Sequence, residues 1–330
     1  DQAPRSCDPM RFRFALSRVA AASPLRPQAR HNSTSARFHA ATSASPLPDP
    51  HNVSNTLDAS TVEAIVKRLE ERGKDKVFRS LFNYFDLIPG DARVLEVGCG
   101  TGVMSRALSK HPGFNGSITG VDQAPRFLEV ASELAEKEGC DMSKTVFIEG
   151  DAHDLKSSLP EDEGFDVVVM HTLLSHASHP KTVLRNAFSV AKPDAKLIVM
   201  DGDFAGLTYG HSEPWIGREM DRALVTATFN KPDVIRHLVL NMDRTGWSLE
   251  GSRAQTVAEI GGEASFWVSF AECYAPRVKA SGLIDDEIVD QWLEDQAEYL
   301  AQGKFFASCN YYTLIARKPT DGEPLQKDDD

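Results

Sequence analysis

Short runs of apolar and β-branched residues recur along the middle of the chain, each followed by a stretch with helical spacing. Strands that are buried on both faces have near-continuous apolar runs of this kind, as in a parallel sheet. Five such runs precede residue 202: Val94–Val97, Ser117–Asp122, Thr145–Ala152, Phe165–His171 and Lys196–Asp201. The pattern predicts an α/β fold with a doubly wound, mostly parallel sheet.

The first apolar run leads into a turn with three alternate glycines, Gly98, Gly100 and Gly102, and a helical stretch starts at Val103. Alternate glycines allow a sharp turn and a close approach of the backbone to a ligand. Asp122 ends the second run, about one helix and one strand later, where an acid can accept hydrogen bonds from ribose hydroxyls. The spacing indicates a site for a cofactor that contains adenosine.

Four segments in this order resemble the class I S-adenosylmethionine-dependent methyltransferase family of the small-molecule type: Glu96–Gly102, Asp122, Gly150–Ala152 and Phe165–Val168. A dinucleotide dehydrogenase more often needs a glycine where this chain has Val103. The resemblance implies a Rossmann-like sheet of seven strands. In that sheet the last strand lies between the fifth and the sixth and runs antiparallel.

The resemblance also implies S-adenosyl-L-methionine as the cofactor. The glycines and Glu96 would hold its amino-acid part, Asp122 its ribose, and Asp151 with Ala152 its adenine edge. The full set of predicted cofactor-binding residues is Glu96, Gly98, Gly100, Gly102, Asp122, Gln123, Asp151, Ala152 and His171.

Three histidines, His171, His176 and His179, end or follow the fourth strand. Histidine titrates near neutral pH and can deprotonate a nucleophile. We predict His171 and His176 as catalytic residues, with a hydrogen-bonded structural role as the alternative for each, and His179 as a helix cap before Pro180. No carboxylate or cysteine neighbours the three at ligand spacing, so we predict no metal site.

Beyond Asp201 the chain contains more helical sequence than a minimal methyltransferase. Residues 204–245 and 265–303 predict helices inserted after the fifth and sixth strands, and the last two strands are predicted at residues 247–260 and 305–316. Ligands bind beyond the carboxyl ends of strands in open α/β sheets. These helices therefore predict a lid over the cofactor.

The second half of the chain contains all four tryptophans, which favours an apolar or aromatic small molecule under the lid. The alternative is that these aromatic side chains form the helices' own core or a homodimer interface. The candidate substrate contacts are Asp203, Tyr209, His211 and Tyr312. Two leading helical stretches, from residue 60 to 73 and from 76 to 85, either cover the cofactor or simply pack on the sheet.

Charge is distributed unevenly along the chain. The net charge is −12, yet residues 1–48 contribute +5 and contain no acid between Met10 and Pro48. An acidic body argues against nucleic acid as a partner. The acid-free, Arg- and Ser-rich leader has the composition of a mitochondrial transit peptide, although a disordered basic tail has it too. We predict a leader at residues 1–55, a methyltransferase domain at 56–319 and a disordered tail at 320–330, with a mitochondrial or otherwise cytoplasmic location.

The five cysteines are scattered and predict neither a disulfide framework nor a zinc site. No apolar stretch approaches the roughly 20 residues of a membrane span. The sequence thus predicts an enzyme that transfers a methyl group to an O, N or C nucleophile of a small, apolar or aromatic metabolite. The alternative is a protein of this fold that binds the cofactor but catalyses a non-methylating reaction or serves as a regulatory subunit.

Overall fold

The predicted apolar runs form strands of one sheet. The structure is a computed structural model and describes residues 59–160 and 164–320. The predicted leader, residues 1–55, and residues 321–330 of the predicted tail lie outside the described residues. The strands are β1 (Arg93–Val97), β2 (Ser117–Asp122), β3 (Thr145–Glu149), β4 (Phe165–His171), β5 (Ala191–Gly202), β6 (Thr208–Tyr209), β7 (Ser248–Ile260) and β8 (Phe306–Arg317).

The sheet has the strand order β3-β2-β1-β4-β5-β8, with β7 on the outer side of β8. Strands β1 to β5 are parallel, whereas β8 runs antiparallel to both β5 and β7. The predicted insertion of the last strand between the fifth and the sixth is confirmed. The two-residue β6, which was not predicted, pairs with the same side of β8 as β5.

Alternate residues of the central strands enter two apolar layers. Val94, Val167 and Ile198 face one layer, and Leu95, Val168 and Leu197 face the other. Because side chains alternate across a strand, a strand buried on both faces must be apolar throughout. The chain crosses to opposite sides of β1 for β2 and β4, so β1 and β4 flank the point where strand order reverses. Ligands bind at that edge in this class of fold.

Helices cover both faces of the sheet. Their bounds are α1 (Ala59–Lys74), α2 (Lys76–Arg79), α3 (Val103–Ser109), α4 (Pro125–Lys137), α5 (Leu155–Ser158), α6 (Pro180–Val190), α7 (Pro214–Thr228), α8 (Val234–Arg244), α9 (Phe266–Ser281) and α10 (Asp286–Ala301). Buried residues of α5, α6 and α8 belong to one layer, and those of α2, α3, α7, α9 and α10 belong to the other. No helix within the described ranges combines the length and apolarity that crossing a bilayer requires.

The second leading helix is shorter than predicted. A helix was expected over residues 76–85, but α2 stops at Arg79 and two 3₁₀ turns follow, Ser80–Phe82 and Phe85–Leu87. Leu81, Phe82, Tyr84 and Phe85 are all buried. A regular helix would turn some of these four nearly consecutive side chains towards solvent, whereas the irregular path buries them all.

The inserted helices α7 to α10 lie where the sequence predicts them. Trp267 and Trp292 are fully buried among them and Trp247 is buried at the start of β7, whereas Trp215 is 41% exposed. Most of these aromatic side chains therefore form a core within one chain, as the alternative interpretation holds. A homodimer through this region stays a prediction.

Candidate functional site

The glycine turn after β1 folds back against β2. The N–H groups of Gly98 and Cys99 donate to the carbonyl oxygen of Val121 at 2.7 and 3.0 Å. Gly98, Gly100 and Gly102 all have positive φ, between +53° and +72°. A Cβ on Gly98 would lie 2.6 Å from Cδ1 of Leu173. Glycine is therefore needed here both for its backbone conformation and for its lack of a side chain.

Two acids flank this turn and are held by hydrogen bonds. Glu96 is 2% exposed and accepts from the backbone N–H of Ser105 at 3.1 Å and from its hydroxyl. Asp122 accepts from the N–H of Gly100 at 2.8 Å and of Ala124 at 3.0 Å. Burial raises the pKa of Glu96 to about 8 and that of Asp122 to about 6, against the lowering effect of these hydrogen bonds.

A cavity of about 280 Å³ opens at the carboxyl ends of β1, β2 and β4. Of the predicted cofactor-binding residues, all but Gly102 line it: Glu96, Gly98, Gly100, Asp122, Gln123, Asp151, Ala152 and His171. Gly102 lies behind the turn, where an added Cβ would lie 2.8 Å from the ring of Phe147. Its absence of a side chain serves packing and not ligand contact.

His153 is a lining residue that the sequence analysis missed. Its ring Nδ1 and its backbone N–H each lie 2.8 Å from Oδ1 of Asp151. Partial burial acts to raise the pKa of Asp151, but the hydrogen bonds from His153 outweigh it and the pKa lies below its usual value. Asp151 is thus held as an anion in a fixed orientation. The local signal was the Asp-x-His spacing directly after β3.

His171 and His176, the two predicted catalytic residues, both line the cavity. His171 is 6% exposed, and its Nδ1 lies 2.8 Å from the hydroxyl oxygen of Tyr84. Burial, with a smaller effect from Arg72, holds its pKa well below the usual value, so the imidazole is neutral. The ring of His176 lies 4.9 Å from that of Phe229. His179 precedes α6 as predicted and does not line the cavity.

The residue after His171 has an unusual backbone. Thr172 has φ +55°, and its N–H donates to the carbonyl oxygen of Met200 at 2.7 Å. A β-branched residue in the left-handed region is strained, and such residues concentrate at functional sites. The strain lies beside the cavity, where Thr172 is a lining residue.

The four candidate substrate residues do not line this cavity, and their contact with a substrate stays a prediction. Asp203 pairs with Arg236 at 2.9 Å, and the hydroxyl of Tyr209 donates to the carbonyl oxygen of Trp267 at 2.7 Å. Nε2 of His211 lies 2.9 Å from a carboxylate oxygen of Asp295. Tyr312 packs against the apolar layer under α6 and α8. Each side chain is engaged within the fold.

The leading helices, and not the inserted ones, cover the cavity. Leu69 and Arg72 of α1, Phe78 of α2 and Phe82 line it, whereas no residue of α7 to α10 does. Helix α9 supports this cover from behind, because Phe266 stacks on Phe78 with ring centroids 6.0 Å apart. The predicted lid is thus an outer layer. The apolar stripe of α1 was the available signal for this cover. A helix that packs on the sheet and a helix that covers the cavity have the same stripe, so the sequence could not distinguish them.

No metal centre emerges within residues 59–160 and 164–320, where no group of three or more histidine, cysteine or acidic side chains is placed to hold an ion.

Replacing Gly98 with alanine is expected to lower the free energy of unfolding by roughly 2–4 kcal/mol, because the strain of a positive φ adds to the clash with Leu173. Chemical denaturation monitored by tryptophan fluorescence measures it. Gly113→Ala is the matched control, since its φ is +85° and no atom lies within 4 Å of the added Cβ. Equal losses in the two variants would show that the clash with Leu173 contributes nothing.

Comparison with known proteins gives one family match. A family model described as a methyltransferase domain matches residues 89–259. An uncharacterized 37.1 kDa protein in a Streptomyces fradiae transposon is 25% identical over 244 residues, which is 72% of this chain and 65% of that protein.

Two enzymes match over a shorter segment. Ubiquinone biosynthesis O-methyltransferases of Coxiella burnetii and, named as mitochondrial, of Schizosaccharomyces pombe are 32% and 29% identical over 104 and 107 residues. Each match spans 32% of this chain, and 41% and 36% of the respective relative. The chain therefore covers less than two thirds of the length of each of these relatives.

Among solved structures, the [4+2]-cyclase SpnF aligns with 83% of this chain and 98% of its own, at 19% identity and a TM-score of 0.50. At that identity the similarity concerns the fold alone.

Proposed function

This chain belongs to the methyltransferase-domain family, whose model matches more than half of its residues, and from that premise we propose a reaction for it. The protein transfers the methyl group of S-adenosyl-L-methionine to an O, N or C nucleophile of a small, apolar or aromatic metabolite. The observation that carries the proposal is the position of Asp122 beside the glycine turn, in the same cavity as Glu96 and Asp151.

The residues present fit this cofactor. The N–H groups of Gly100 and Ala124 fix the carboxylate of Asp122, whose remaining lone pairs are available to two ribose hydroxyls. Asp151 and the backbone of Ala152 are available to the adenine edge, and Glu96 lies at the glycine turn for the amino-acid part. Gly100 also lines the cavity, and only Cδ1 of Leu69 lies within 4 Å of the position of its missing Cβ, which leaves room for a ligand beside the turn.

The bound cofactor supplies an activated methyl group, and the chain's own residues supply position and surroundings. The cover formed by α1, α2 and Phe82 lies beside the carboxyl end of β4, where it would shield the reacting atoms from water. His171 and His176 lie at that end, where they orient the acceptor. Because His171 is neutral, it adds no positive charge of its own beside the cationic sulfur.

Aromatic side chains near His171 support an apolar or aromatic acceptor. Ring centroids of Phe78 and Phe82 each lie 5.1 Å from that of His171. Apolar and aromatic ligands pack against such side chains. The acidic body supports a small molecule and not nucleic acid as the partner. The leader composition and the mitochondrial relative support a mitochondrial location for the whole protein.

A labelled-methyl assay tests the proposal. We expect S-adenosylhomocysteine to bind in calorimetry, and label from S-adenosylmethionine to enter the small-molecule fraction of a cell extract when the protein is added. Binding without transfer would instead support a non-methylating reaction or a regulatory subunit. Failure of S-adenosylhomocysteine to bind would overturn the proposal in every form.

A further inference from the structure

The cover of the cavity holds a cation that forms no ion pair with a described residue. Arg72 lines the cavity, and its side chain donates no hydrogen bond and forms no ion pair with a described residue. Its guanidinium lies over the ring of Phe78, 4.3 Å from the centroid. Its Nε is fully buried without a partner. Buried charges are ordinarily paired, so an unpaired arginine beside a cavity indicates a place for an anion.

A second arginine near Arg72 adds to the positive charge that an anion would neutralise. Arg68, one helical turn earlier, is 5% exposed and stacks over Phe266, 4.8 Å from its centroid. Burial, and next the repulsion from Arg68, lower the pKa of Arg72 to about 10. The arginine remains charged at neutral pH. Because a buried charge without a partner is unfavourable, an anion that pairs with Arg72 would be bound more tightly.

Nε2 of His171 is a second unsatisfied atom beside the same cavity. Its protonation follows from the partner of the other ring nitrogen, because the hydroxyl of Tyr84 has one acceptor among the described residues, Nδ1 of His171. When the hydroxyl donates to Nδ1, both the hydroxyl and Nδ1 have a partner, and the neutral imidazole carries its proton on Nε2. If Nδ1 instead donated to the hydroxyl oxygen, the phenolic hydrogen would lack an acceptor. Nε2 is buried and has no partner. His171 therefore offers a hydrogen-bond donor, where a general base would offer a lone pair.

The position of Arg72 relative to the strands indicates which ligand it serves. The polar groups that interact with it electrostatically include Asp201 of β5, Tyr311 of β8 and Tyr274 of α9. Arg72 also acts on His171 at the end of β4. The Phe78 ring beneath the guanidinium lies 5.1 Å from the ring of His171. Arg72 therefore lies near the carboxyl end of β4, where the proposed function places the acceptor.

We propose that the methyl acceptor is an aromatic or unsaturated molecule with a carboxylate, and that Arg72 binds this carboxylate with His171 as a second donor. Phe78, which contacts both Arg72 and His171, lines the cavity together with Phe82, and the apolar body of the acceptor packs against these two side chains. A planar guanidinium suits the two oxygens of a carboxylate. This inference rests on the proposed function and narrows its substrate class.

Binding of simple carboxylates to the protein saturated with S-adenosylhomocysteine tests the proposal. Benzoate and cinnamate are the probes, with benzamide and cinnamamide as neutral controls, and calorimetry or ligand-observed NMR measures affinity. We expect the acids to bind at least tenfold more tightly than the amides. Arg72→Gln should remove at least tenfold of the acids' affinity and change that of S-adenosylhomocysteine less than threefold.

Two further variants separate charge from packing. Arg72→Lys keeps the charge and should retain part of the acids' affinity. Arg68→Gln removes a cation from the same helix, but Arg68 does not line the cavity, so the acids' affinity should change less than threefold. Thermal unfolding confirms that each variant is folded.

Several results would overturn the inference. One is that neither acid binds the loaded wild-type protein, or that acids and amides bind equally. Another is that Arg72→Gln weakens S-adenosylhomocysteine but not 5′-methylthioadenosine, which lacks the amino-acid part; Arg72 would then bind the cofactor's own carboxylate. Absence of S-adenosylhomocysteine binding to the wild type is a different outcome, because it removes the proposed function itself.

Discussion

Replacing Asp122 with alanine is expected to weaken the binding of S-adenosylmethionine by about 30- to 150-fold. The carboxylate is positioned by the N–H groups of Gly100 and Ala124, and its loss removes two hydrogen bonds to a charged acceptor, each contributing roughly 1–1.5 kcal/mol. Calorimetry with S-adenosylhomocysteine measures the change directly, without dependence on an acceptor.

Glu149→Ala is the matched control for this variant. Glu149 pairs in register with Asp122 on the neighbouring strand, is exposed, and does not line the cavity. Its replacement removes the same charge and should change the affinity less than threefold. A similar loss in both variants would mean that net charge, and not a contact with the ribose, sets the affinity.

Cofactor affinity is expected to rise steeply with pH. The ionised carboxylate of Asp122 would accept ribose hydrogen bonds much more strongly than the protonated form, and its pKa in the cofactor-free protein is about 6. Below pH 6 the affinity should therefore fall by up to about tenfold for each pH unit. Calorimetric titrations between pH 5 and pH 9 measure this profile. Asp122→Asn should remove the step near pH 6, and an unchanged step would assign it to another group.

Binding of the cofactor is expected to release a proton from Glu96 at neutral pH. Its pKa of about 8 means that Glu96 is mostly protonated at pH 7, and pairing with the cofactor's ammonium group would ionise it. The binding enthalpy should then vary with the ionisation enthalpy of the buffer, corresponding to a release approaching one proton for each cofactor bound. Glu96→Gln should abolish the release, and a buffer-independent enthalpy in the wild type would contradict this role.

The same shifts affect stability with a defined sign. The pKa values of Glu96 and Asp122 are raised in the folded state, so the folded protein without cofactor binds more protons than the unfolded chain between about pH 4 and pH 8. Its stability should fall as pH rises through this range. Glu96→Gln should recover roughly 2–4 kcal/mol at pH 9 relative to the wild type, as measured by chemical denaturation.

The sheet and its cofactor edge could be predicted because local sequence encodes them. Burial on both faces requires continuous apolar runs, and positive φ at Gly98 and Gly100 requires glycine. The two-residue β6 has no such signature, since Thr208 and Tyr209 are a strand only through pairing with β8. The predicted helix over residues 76–85 also failed, because tertiary burial of Tyr84 and its neighbours overrides helical spacing.

The surroundings of His171 could not be predicted, since they depend on contacts between distant parts of the chain. Tyr84 and His171 are 87 residues apart, and nothing near either residue indicates the other. Likewise, nothing local shows that Asp203 and His211 are held by Arg236 and Asp295. Polar residues near strand ends are frequent candidates for binding, and only the fold reveals which of them already have partners.

The late position of β8 in the chain has a practical consequence for experiments. The segment that the family model matches ends at residue 259, yet β8 spans Phe306–Arg317 and separates β5 from β7. A fragment trimmed to residues 89–259 would leave the edges of both strands unpaired, which favours aggregation. It would also lack α1 and α2 and hence one wall of the cavity. The segment recognised by homology is therefore shorter than the segment that folds as a unit. Expression trials should include α1, α2 and β8.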